Sequence, residues 1–448
     1  MSSPRLSIID LIWQRAVNAP EHPALIFLGN KGRVERFSYA ELTSRTARRI
    51  SRISQLPPCS RVGLNAPHGP EFLIEALAIL AAGHCLVPIN GELDASEQQE
   101  LAVRAGIHAL RQTSDDSLTL FPGAAIDGQS DNVFRALSPA YLRFTSGSTG
   151  QRKGVLLGHP TIIERTAAAN LRLQIGAADR VLCLLPMVDH FVVSILLYLR
   201  YGATVLLVEN DMDAPALAGS ERATVLYGSP AQYRSFRTPL PSLRLAVSTA
   251  QGLTVPLAEA FLAVTGQPLT QALGIIEAGL LTLNETLART EPLLAGKPMP
   301  SYKISVAEND GNGGEIHVQG PGLLDAYVSP WQPRESLLTK DGFPTGDHGW
   351  LDDEGYLHLV GREKNRLHFG EATFFCEEIE SRINQHGAVT ESLVSRDGEQ
   401  LVAKVVAPNA DWAVLASWIR NAVSSISAPV EVQFVEFLPR TATGKLAR

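Results

Sequence analysis

The feature that most constrains the fold is an alternation of short apolar strands and helical segments, which is clearest between residues 38 and 208. The helical stretch PEFLIEALAILAAG places Leu73, Leu77 and Leu80 on one face, and the apolar run CLVPIN follows it as a short strand. The strand patterns ATVLLV, ATVLYGS and LRLAVSTA continue the series, together with the helical stretches FVVSILLYLRYG and VPLAEAFLAVTG. This alternation predicts an α/β fold: a large N-terminal domain of parallel-rich sheets covered by helices.

The pattern changes twice toward the C-terminus. After residue 292, the stretches YKISVAE, GEIHVQG and GYLHLVG alternate in hydropathy between turn residues, which predicts a small antiparallel, barrel-like β segment. From residue 362 the order is helix, hairpin around Asp397 and Gly398, second helix and final strand, which predicts a small, mobile α+β C-terminal domain. We place the domain boundary at residue 363, so that the domains are 1–363 and 364–448.

Composition excludes several classes of protein. The 448 residues are 45% hydrophobic and 19% charged, as in soluble globular proteins with more than one domain. A net charge of -7 gives no reason to expect a nucleic acid or an anionic membrane as partner. The most apolar region, residues 181–208, is interrupted by Pro186, Asp189 and Arg200, so we expect no membrane span. The scattered cysteines and the absence of a secretory apolar segment predict a cytoplasmic protein.

One loop has the composition of an anion-binding site. The stretch YLRFTSGSTGQRKG joins the two strand patterns AYLRF and GVLLGH. Its hydroxyl groups, its glycines and the charge of Lys153 can converge on one anion, and this favours phosphate. Lys153 is followed by Gly154 rather than by Ser or Thr, so the loop is not a Walker A motif. Considered alone, a polar glycine-containing cluster is more often an ordinary surface loop.

Five segments stand in order along the chain: FTSGSTGQRKG, LPMVDHFVVSIL, GIIEAG, PTGDHGWLDDEGYLHLVGREKN and LPRTATGKLAR. Together they resemble the adenylate-forming superfamily of acyl- and aryl-CoA synthetases, adenylation domains and luciferases, and the resemblance covers nearly the whole chain. It implies that a carboxylate attacks the α-phosphate of ATP, giving an acyl-adenylate and pyrophosphate. A thiol, either of coenzyme A or of the phosphopantetheine on an acyl carrier protein, would then displace AMP.

The resemblance also assigns residues to ATP and Mg²⁺. The residues that match the phosphate loop are Thr145, Ser146, Gly147, Ser148, Thr149, Gly150 and Lys153. Lys153 carries the positive charge. Glu277 and Thr149 would hold Mg²⁺, whose charge offsets that of the phosphates. Asp347 would accept hydrogen bonds from the ribose hydroxyls with help from Arg362, and Leu273 and Gly274 would lie at the adenine.

Three further residues are assigned to the reaction and to a domain motion. His190 would lie near the acid, and Lys445 would bridge the acid and the α-phosphate, where negative charge develops. Lys364 would be the hinge at which the small domain turns, so that Lys445 leaves and a thiol can enter. Each of these residues, considered singly, has an ordinary structural explanation: a buried histidine, a tail lysine near a chain end, or an exposed linker lysine.

The sequence departs from the family pattern near the nucleotide. Leu273 stands where the family usually has a tyrosine, and Ile276 stands where it usually has a threonine. Leucine offers neither a ring nor a hydroxyl to a purine. These changes keep open a degenerate, non-catalytic relative that only binds nucleotide.

The same comparison indicates the kind of acid. Phe191 occupies the position where amino-acid-adenylating domains place an aspartate, and an unpaired buried ammonium would be costly, so α-amino acids are disfavoured. We expect the acid pocket to be lined by Phe191, Val192, Tyr227, Gly228 and Leu273, with Ile275 behind them. This apolar set favours an aryl or fatty acyl acid, and its aromatic rings favour a compact aryl acid. An amino-acid-adenylating enzyme and a P-loop hydrolase remain alternatives.

Overall fold

The structure is a computed structural model. It describes residues 6–91, 93–121, 131–144, 153–285, 293–307, 313–369, 372–398, 400–424, 429–440 and 446. Its α-helices are α1 (Ile8–Asn18), α2 (Tyr39–Ile50), α3 (Pro70–Ala81), α4 (Ala95–Ala105), α5 (Asp131–Ala136), α6 (His159–Leu173), α7 (Met187–His190), α8 (Ile195–Arg200), α9 (Ala214–Ser220), α10 (Pro230–Tyr233), α11 (Val255–Thr265), α12 (Arg334–Leu337), α13 (Cys376–Ile383) and α14 (Trp412–Ala422).

The strands belong to sheets of different sizes, and they are numbered in chain order. They are β1 (Pro23–Leu28), β2 (Val34–Ser38), β3 (Arg61–Asn65), β4 (Cys85–Pro88), β5 (Ala109–Gln112), β6 (Ser117–Leu120), β7 (Pro139–Phe144), β8 (Gly154–Gly158), β9 (Arg180–Cys183), β10 (Thr204–Val208), β11 (Val225–Gly228), β12 (Leu245–Ser248), β13 (Leu269–Ile275), β14 (Gly279–Asn284), β15 (Leu294–Pro298), β16 (Lys303–Val306), β17 (Gly314–Gln319), β18 (Ala326–Val328), β19 (Gln332–Pro333), β20 (Phe343–Leu351), β21 (Leu357–Arg362), β22 (Arg366–Phe369), β23 (Ala372–Phe375), β24 (Glu391–Asp397), β25 (Gln400–Val406) and β26 (Val430–Phe434).

The largest sheet contains the strands that carry the candidate site. Among the described residues its order is β16-β17-β20-β21-β15-β14-β13-β12-β11-β9-β10-β1-β2. The central run from β13 to β1 is parallel, as the alternation of strands and helices predicted. The strands from β14 to β16 pair antiparallel, which confirms the predicted change of pattern, and β14 joins them to the parallel part by pairing with β13.

The second sheet has the order β19-β18-β8-β7-β4-β3-β5-β6 in the described part of the chain. Its central strands β7, β4, β3 and β5 are parallel. Strands β7 and β8 pair antiparallel, with Phe144 opposite Gly154. The segment 145–152 between them lies outside the described residues, but the structure fixes both of its ends. The sheets are therefore parallel-rich rather than parallel throughout.

The main core lies between these two sheets. One continuous cluster of buried side chains includes residues of both sheets and of α1, α3, α6 and α8. The sequence predicts a helix here with Leu73, Leu77 and Leu80 on one face, and the structure confirms the helix and shows that every residue from Phe72 to Leu80 is buried. A helix in the middle layer of such a fold contacts neighbours on all sides, which explains its nearly continuous run of apolar residues.

The C-terminal part has the predicted elements and its own core. Helices α13 and α14 pack on the sheet β24-β25-β26 around the buried side chains of Ile379, Ile383, Leu401 and Ile419. The predicted hairpin is formed by β24 and β25. The boundary at residue 363 remains a prediction. None of the helices in the described ranges combines the length and the hydropathy that a membrane crossing requires.

Candidate active site

A cavity of about 580 Å³ lies between the largest sheet and helices α6 and α8. Its mouth is lined by charged and polar side chains, and its inner part is lined by apolar ones. The predicted site residues that contribute to its lining are Lys153, His190, Tyr227, Gly274, Glu277, Arg362 and Lys364. These residues are dispersed over more than two hundred positions of sequence, and the fold brings them to a single space.

Lys153 and Glu277 meet at one tyrosine that the sequence did not single out. The ammonium of Lys153 lies 4.8 Å from the centre of the Tyr327 ring, within the range of a cation–π contact. The hydroxyl of Tyr327 donates to Glu277 Oε1 at 3.0 Å. Burial and the Glu277 carboxylate raise the pKa of Tyr327, so its hydroxyl stays protonated and can donate. Tyr327 thus holds the two oppositely charged groups at the mouth of the cavity.

The backbone that presents Glu277 is held by Arg165, which sequence reasoning missed. Arg165 Nη1 donates to the carbonyl of Ile276 at 2.9 Å, and Nη2 donates to those of Glu277 at 3.2 Å and Gly322 at 2.6 Å. Burial lowers the pKa of Arg165 to about 10, which leaves it charged at neutral pH. Gly322 has φ +67°, and a Cβ there would lie 2.6 Å from the Arg165 Cβ. The sequence signal that could have identified Arg165 is its position on the inward face of α6, where a charged residue is unusual.

Asp347 and Arg362 form an ion pair beside the mouth. They face each other on β20 and β21, and Arg362 Nε lies 2.9 Å from Asp347 Oδ1. Asp347 is only 6% exposed. Burial raises the pKa of Asp347, the neighbouring Arg362 lowers it, and Glu277 and Glu377 raise it further, so that the net pKa lies above its ordinary value. The Asp347 carboxylate is therefore a hydrogen-bond acceptor beside the cavity, and its burial carries a desolvation cost.

His190 ends helix α7 and contacts Tyr227. The Nδ1 atom of His190 and the Tyr227 hydroxyl are 3.1 Å apart, and the two rings meet edge to face. Burial raises the pKa of Tyr227, so the phenol remains neutral. This pair marks the border between the polar mouth and the apolar inner part of the cavity.

A second ion pair at the cavity was also missed. Arg143 Nη2 lies 2.6 Å from Asp189 Oδ1, and Arg143 Nη1 donates to the Asp189 carbonyl at 2.6 Å. Both side chains line the cavity. Arg143 stands at the end of β7, directly before the predicted phosphate loop, and Asp189 directly precedes His190. The pair therefore connects the start of that loop to the turn that carries His190.

Four residues that were expected to line the acid pocket lie away from the cavity lining, so the observed lining differs from the expected one. Phe191 is 0% exposed and packs edge to face on Phe72 at 5.7 Å, and Val192 is buried in the same core. Neighbouring positions of a strand face opposite sides of the sheet. On β11, Tyr227 faces the cavity, so its neighbour Gly228 faces the other side of the sheet. On β13, Ala272 and Gly274 face the cavity, so Leu273 between them faces the other side.

Two sets of predicted residues cannot be placed. Thr145, Ser146, Gly147, Ser148, Thr149 and Gly150 lie outside the described residues, as does Lys445. Leu446, which follows Lys445, forms an isolated antiparallel bridge with Arg440. Lys364 lies in the 3₁₀ turn Glu363–Asn365 at the cavity mouth, and the preceding Glu363 contacts His348 Nε2 at 2.8 Å.

The donor set suits a magnesium ion that is carried by phosphate. The described residues contain no cluster of three His, Cys, Asp or Glu side chains able to hold a metal. Mg²⁺ is commonly bound by one or two carboxylates together with substrate phosphates. Glu277 offers one carboxylate at the cavity beside Lys153, and this fits that mode of binding.

Comparison with known proteins decides the family. Residues 12–328 match the model of the AMP-binding enzyme, and residues 378–445 match that of the AMP-binding enzyme C-terminal domain. The chain belongs to the AMP-binding enzyme family. This confirms the resemblance drawn from the five segments, and it confirms the expected enzyme class, an AMP-forming ligase.

Relatives of this AMP-binding enzyme share most of its length. A 3-[(3aS,4S,7aS)-7a-methyl-1,5-dioxo-octahydro-1H-inden-4-yl]propanoyl:CoA ligase of Mycobacterium tuberculosis is 27% identical, over 96% of this chain and 95% of its own. A feruloyl-CoA synthase of Amycolatopsis is 25% identical, over 92% of each chain. A long-chain-fatty-acid–CoA ligase of Bacillus subtilis is 27% identical, over 69% of this chain and 60% of its own.

Solved structures confirm the fold. The O-succinylbenzoate coenzyme A synthetase of Bacillus subtilis, in complex with AMP, superposes with a TM-score of 0.81 at 23% identity, covering 98% of this chain and 97% of that one. ATP-bound MatB of Rhodopseudomonas palustris gives a TM-score of 0.80 at 23% identity, covering 99% and 97%.

Proposed function

We propose that this AMP-binding enzyme activates an apolar carboxylic acid with ATP and transfers the acyl group to a thiol. The observation that carries the proposal is the cavity itself, which joins a charged mouth to an apolar interior. Lys153, Glu277 and Arg362 lie at the mouth, and they suit a nucleoside triphosphate with its magnesium ion. The interior suits the hydrocarbon part of an acid, so that the carboxylate and the α-phosphate would meet at the border between them.

The first step brings two anions together, so positioning and charge neutralisation dominate its barrier. Lys153, with the hydroxyl and backbone groups of segment 145–150, would hold the β- and γ-phosphates. Glu277 would hold Mg²⁺, which when bound supplies positive charge to the phosphates. Asp347 and Arg362 would bind the ribose, and Lys445 would place its ammonium between the carboxylate and the α-phosphate. The carboxylate oxygen then bonds to the α-phosphorus as the bond to pyrophosphate breaks.

The second step requires a thiol to reach the acyl-adenylate. Rotation of the small domain about Lys364 would withdraw Lys445 and open a path to the carbonyl carbon, with AMP as the leaving group. We favour coenzyme A as the thiol, because the relatives named above are CoA ligases. The phosphopantetheine of an acyl carrier protein offers the same chemistry and is the alternative acceptor.

The acid is an aryl or fatty acyl acid rather than an α-amino acid. By their names, the relatives are ligases of an octahydroindenyl propanoate, of ferulate and of long-chain fatty acids. A bound α-ammonium would need a carboxylate partner in the pocket. Asp189 lines the cavity, but its carboxylate already pairs with Arg143 at 2.6 Å. An amino-acid-adenylating enzyme and a non-catalytic nucleotide binder are the alternatives.

Pyrophosphate release tests this proposal. The full chain is incubated with ATP, Mg²⁺ and coenzyme A across aryl, medium-chain, long-chain and amino acids. We expect release that depends on an apolar acid and that falls about a hundredfold or more in Lys445→Ala, since the ammonium acts where charge develops. Lys303→Ala, on an exposed strand position, is the matched control and should behave as wild type.

Two results would contradict the proposal. ATP binding without release for any acid would support the non-catalytic relative. Release with α-amino acids alone would support the amino-acid-adenylating enzyme.

A further inference from the structure

One tyrosine contacts both of the oppositely charged residues at the cavity mouth. The ammonium of Lys153 lies over the ring of Tyr327, 4.8 Å from its centre. The carboxylate of Glu277 accepts a hydrogen bond of 3.0 Å from the hydroxyl of the same residue. Tyr327 is buried, whereas Lys153 and Glu277 are half-buried at the mouth. A single phenol therefore holds a cation on its face and an anion at its hydroxyl.

Strand pairing fixes the backbone of Tyr327 beside that of Lys153. Strand β18 pairs antiparallel with β8, and Tyr327 lies opposite Val155. Lys153 directly precedes β8. Asp325, which directly precedes β18, accepts a hydrogen bond of 2.6 Å from the Gly158 N–H at the other end of β8. The position of the Tyr327 ring relative to the Lys153 backbone is thus set by the fold.

The backbone of Glu277 is bonded to the same region. Its carbonyl accepts from the Leu324 N–H at 2.7 Å and from Arg165 Nη2 at 3.2 Å. Because the three backbones are fixed, side-chain rotation decides which partner each charged group takes. Lysine has a long and flexible side chain, and opposite charges near a protein surface attract each other strongly at short distance. Lys153 and Glu277 would therefore pair directly if nothing else held them.

A direct pair of Lys153 with Glu277 would compete with ATP. The phosphates need the ammonium and the magnesium ion needs the carboxylate, so the pair would have to break before either group could bind. In the part of the chain that the structure describes, no ion pair joins the two side chains, and each contacts Tyr327 instead. Because the phenol is neutral, these contacts hold both groups without cancelling their charges.

We propose that Tyr327 is a positioning residue that keeps Lys153 and Glu277 from pairing with each other in the unliganded enzyme. Both charges are then available when ATP and Mg²⁺ arrive. The hydroxyl has the decisive role, because it holds the carboxylate away from the ammonium. The inference rests on the proposed function for the roles of Lys153 and Glu277, but the separation of their charges belongs to the unliganded protein.

Calorimetry of ATP binding to the full chain tests this role. Tyr327→Phe keeps the ring against Lys153 and removes only the hydroxyl that holds Glu277. In EDTA, we expect the affinity for ATP to fall about threefold or more, the effect of one partly exposed ion pair. The same loss should appear with saturating Mg²⁺, since the pair forms before the ligand binds. In a Glu277→Gln background, Tyr327→Phe should leave the affinity unchanged, because no carboxylate remains to pair.

Tyr356→Phe is the matched control. The Lys297 ammonium lies 4.7 Å from the centre of the Tyr356 ring, and both residues lie outside the cavity lining. Its affinity for ATP should equal that of wild type. Three results would each overturn the inference: no loss in Tyr327→Phe, a loss that appears only with Mg²⁺, or a loss that persists in the Glu277→Gln background.

A crystal structure of the unliganded Tyr327→Phe variant separates this inference from the proposed function. We expect Lys153 Nζ to contact the Glu277 carboxylate there, whether or not the enzyme activates an acid. If that contact forms and the wild-type enzyme neither binds ATP nor releases pyrophosphate, the role of Tyr327 stands and the proposed function is wrong. Side chains that remain apart in the variant would overturn the inference.

Discussion

At the scale of single residues, the buried carboxylate of Asp347 carries a desolvation cost. Its pKa is raised because burial disfavours the charged form, although Arg362 lies 2.9 Å away. A folded-state pKa above the unfolded one means that the folded protein binds this proton more strongly. The associated stability is present at low pH and is lost as pH rises through the raised pKa. Carboxylates kept in this way are common at functional sites.

We therefore predict that Asp347→Asn stabilises the folded protein and weakens ATP binding. Above the ordinary carboxyl pKa of 3.8, the melting temperature of the variant should rise relative to wild type as pH increases toward neutrality. Affinity for ATP should fall about tenfold or more, because hydrogen bonds to a charged acceptor are lost. Melting curves across pH, together with calorimetry of ATP binding, check both parts.

Asp341→Asn, on an exposed turn, serves as the control and should change neither quantity. An Asp347→Asn variant that binds ATP as wild type does would remove Asp347 from the nucleotide site.

The residue scale also shows what sequence could and could not predict. Motif order identified Lys153, Glu277 and Arg362, and the fold brings them to one cavity. The resemblance placed Phe191 and Gly228 in the acid pocket, whereas in the structure Phe191 packs on Phe72 and Gly228 faces Leu184, because the direction of a residue depends on strand register and on packing. Arg165 carries no ligand-binding motif, and its importance appears only when its contacts with the Ile276 and Glu277 carbonyls are known.

At the scale of elements, periodicity predicted most helices and strands, since each has a regular apolar pattern. It could not show that nearly every side chain of α3 is buried, because that burial depends on the two sheets that enclose the helix. It also could not show that β8 returns antiparallel to β7, because the pairing partner of a strand is set by tertiary contacts. This return places Lys153 directly beside the end of β7, where Arg143 meets Asp189.

The turn Glu363–Asn365 is the element on which the second half-reaction depends. We predict that Lys364→Pro spares adenylation but lowers thioester formation at least tenfold, because proline fixes φ and restricts the residue before it. Acid-dependent pyrophosphate exchange measures the first step, and single-turnover formation of the thioester measures the second.

Lys364→Ala removes the side chain but leaves the backbone free, so it should retain both steps. Equal losses in the two half-reactions of Lys364→Pro would contradict a hinge at this position.

At the scale of the whole molecule, we expect function to depend on the two large sheets and on the small C-terminal part together. The largest sheet supplies apolar side chains of the cavity and the Asp347–Arg362 pair, while the second sheet supplies Arg143 and Lys153. The C-terminal part has a core of its own, and it contacts the rest of the chain through hydrogen bonds such as Arg234 to the Thr390 carbonyl. A core of its own is what a rotating domain requires.

We propose above that ATP and an apolar acid react directly to form an acyl-adenylate. Mass spectrometry of the enzyme mixed with ATP, Mg²⁺ and decanoate, without any thiol, tests it most directly. If the proposed adenylation is right, decanoyl-AMP and pyrophosphate form together, and neither forms without the acid. Cleavage of ATP to ADP and phosphate, or cleavage that proceeds equally well without the acid, would contradict it.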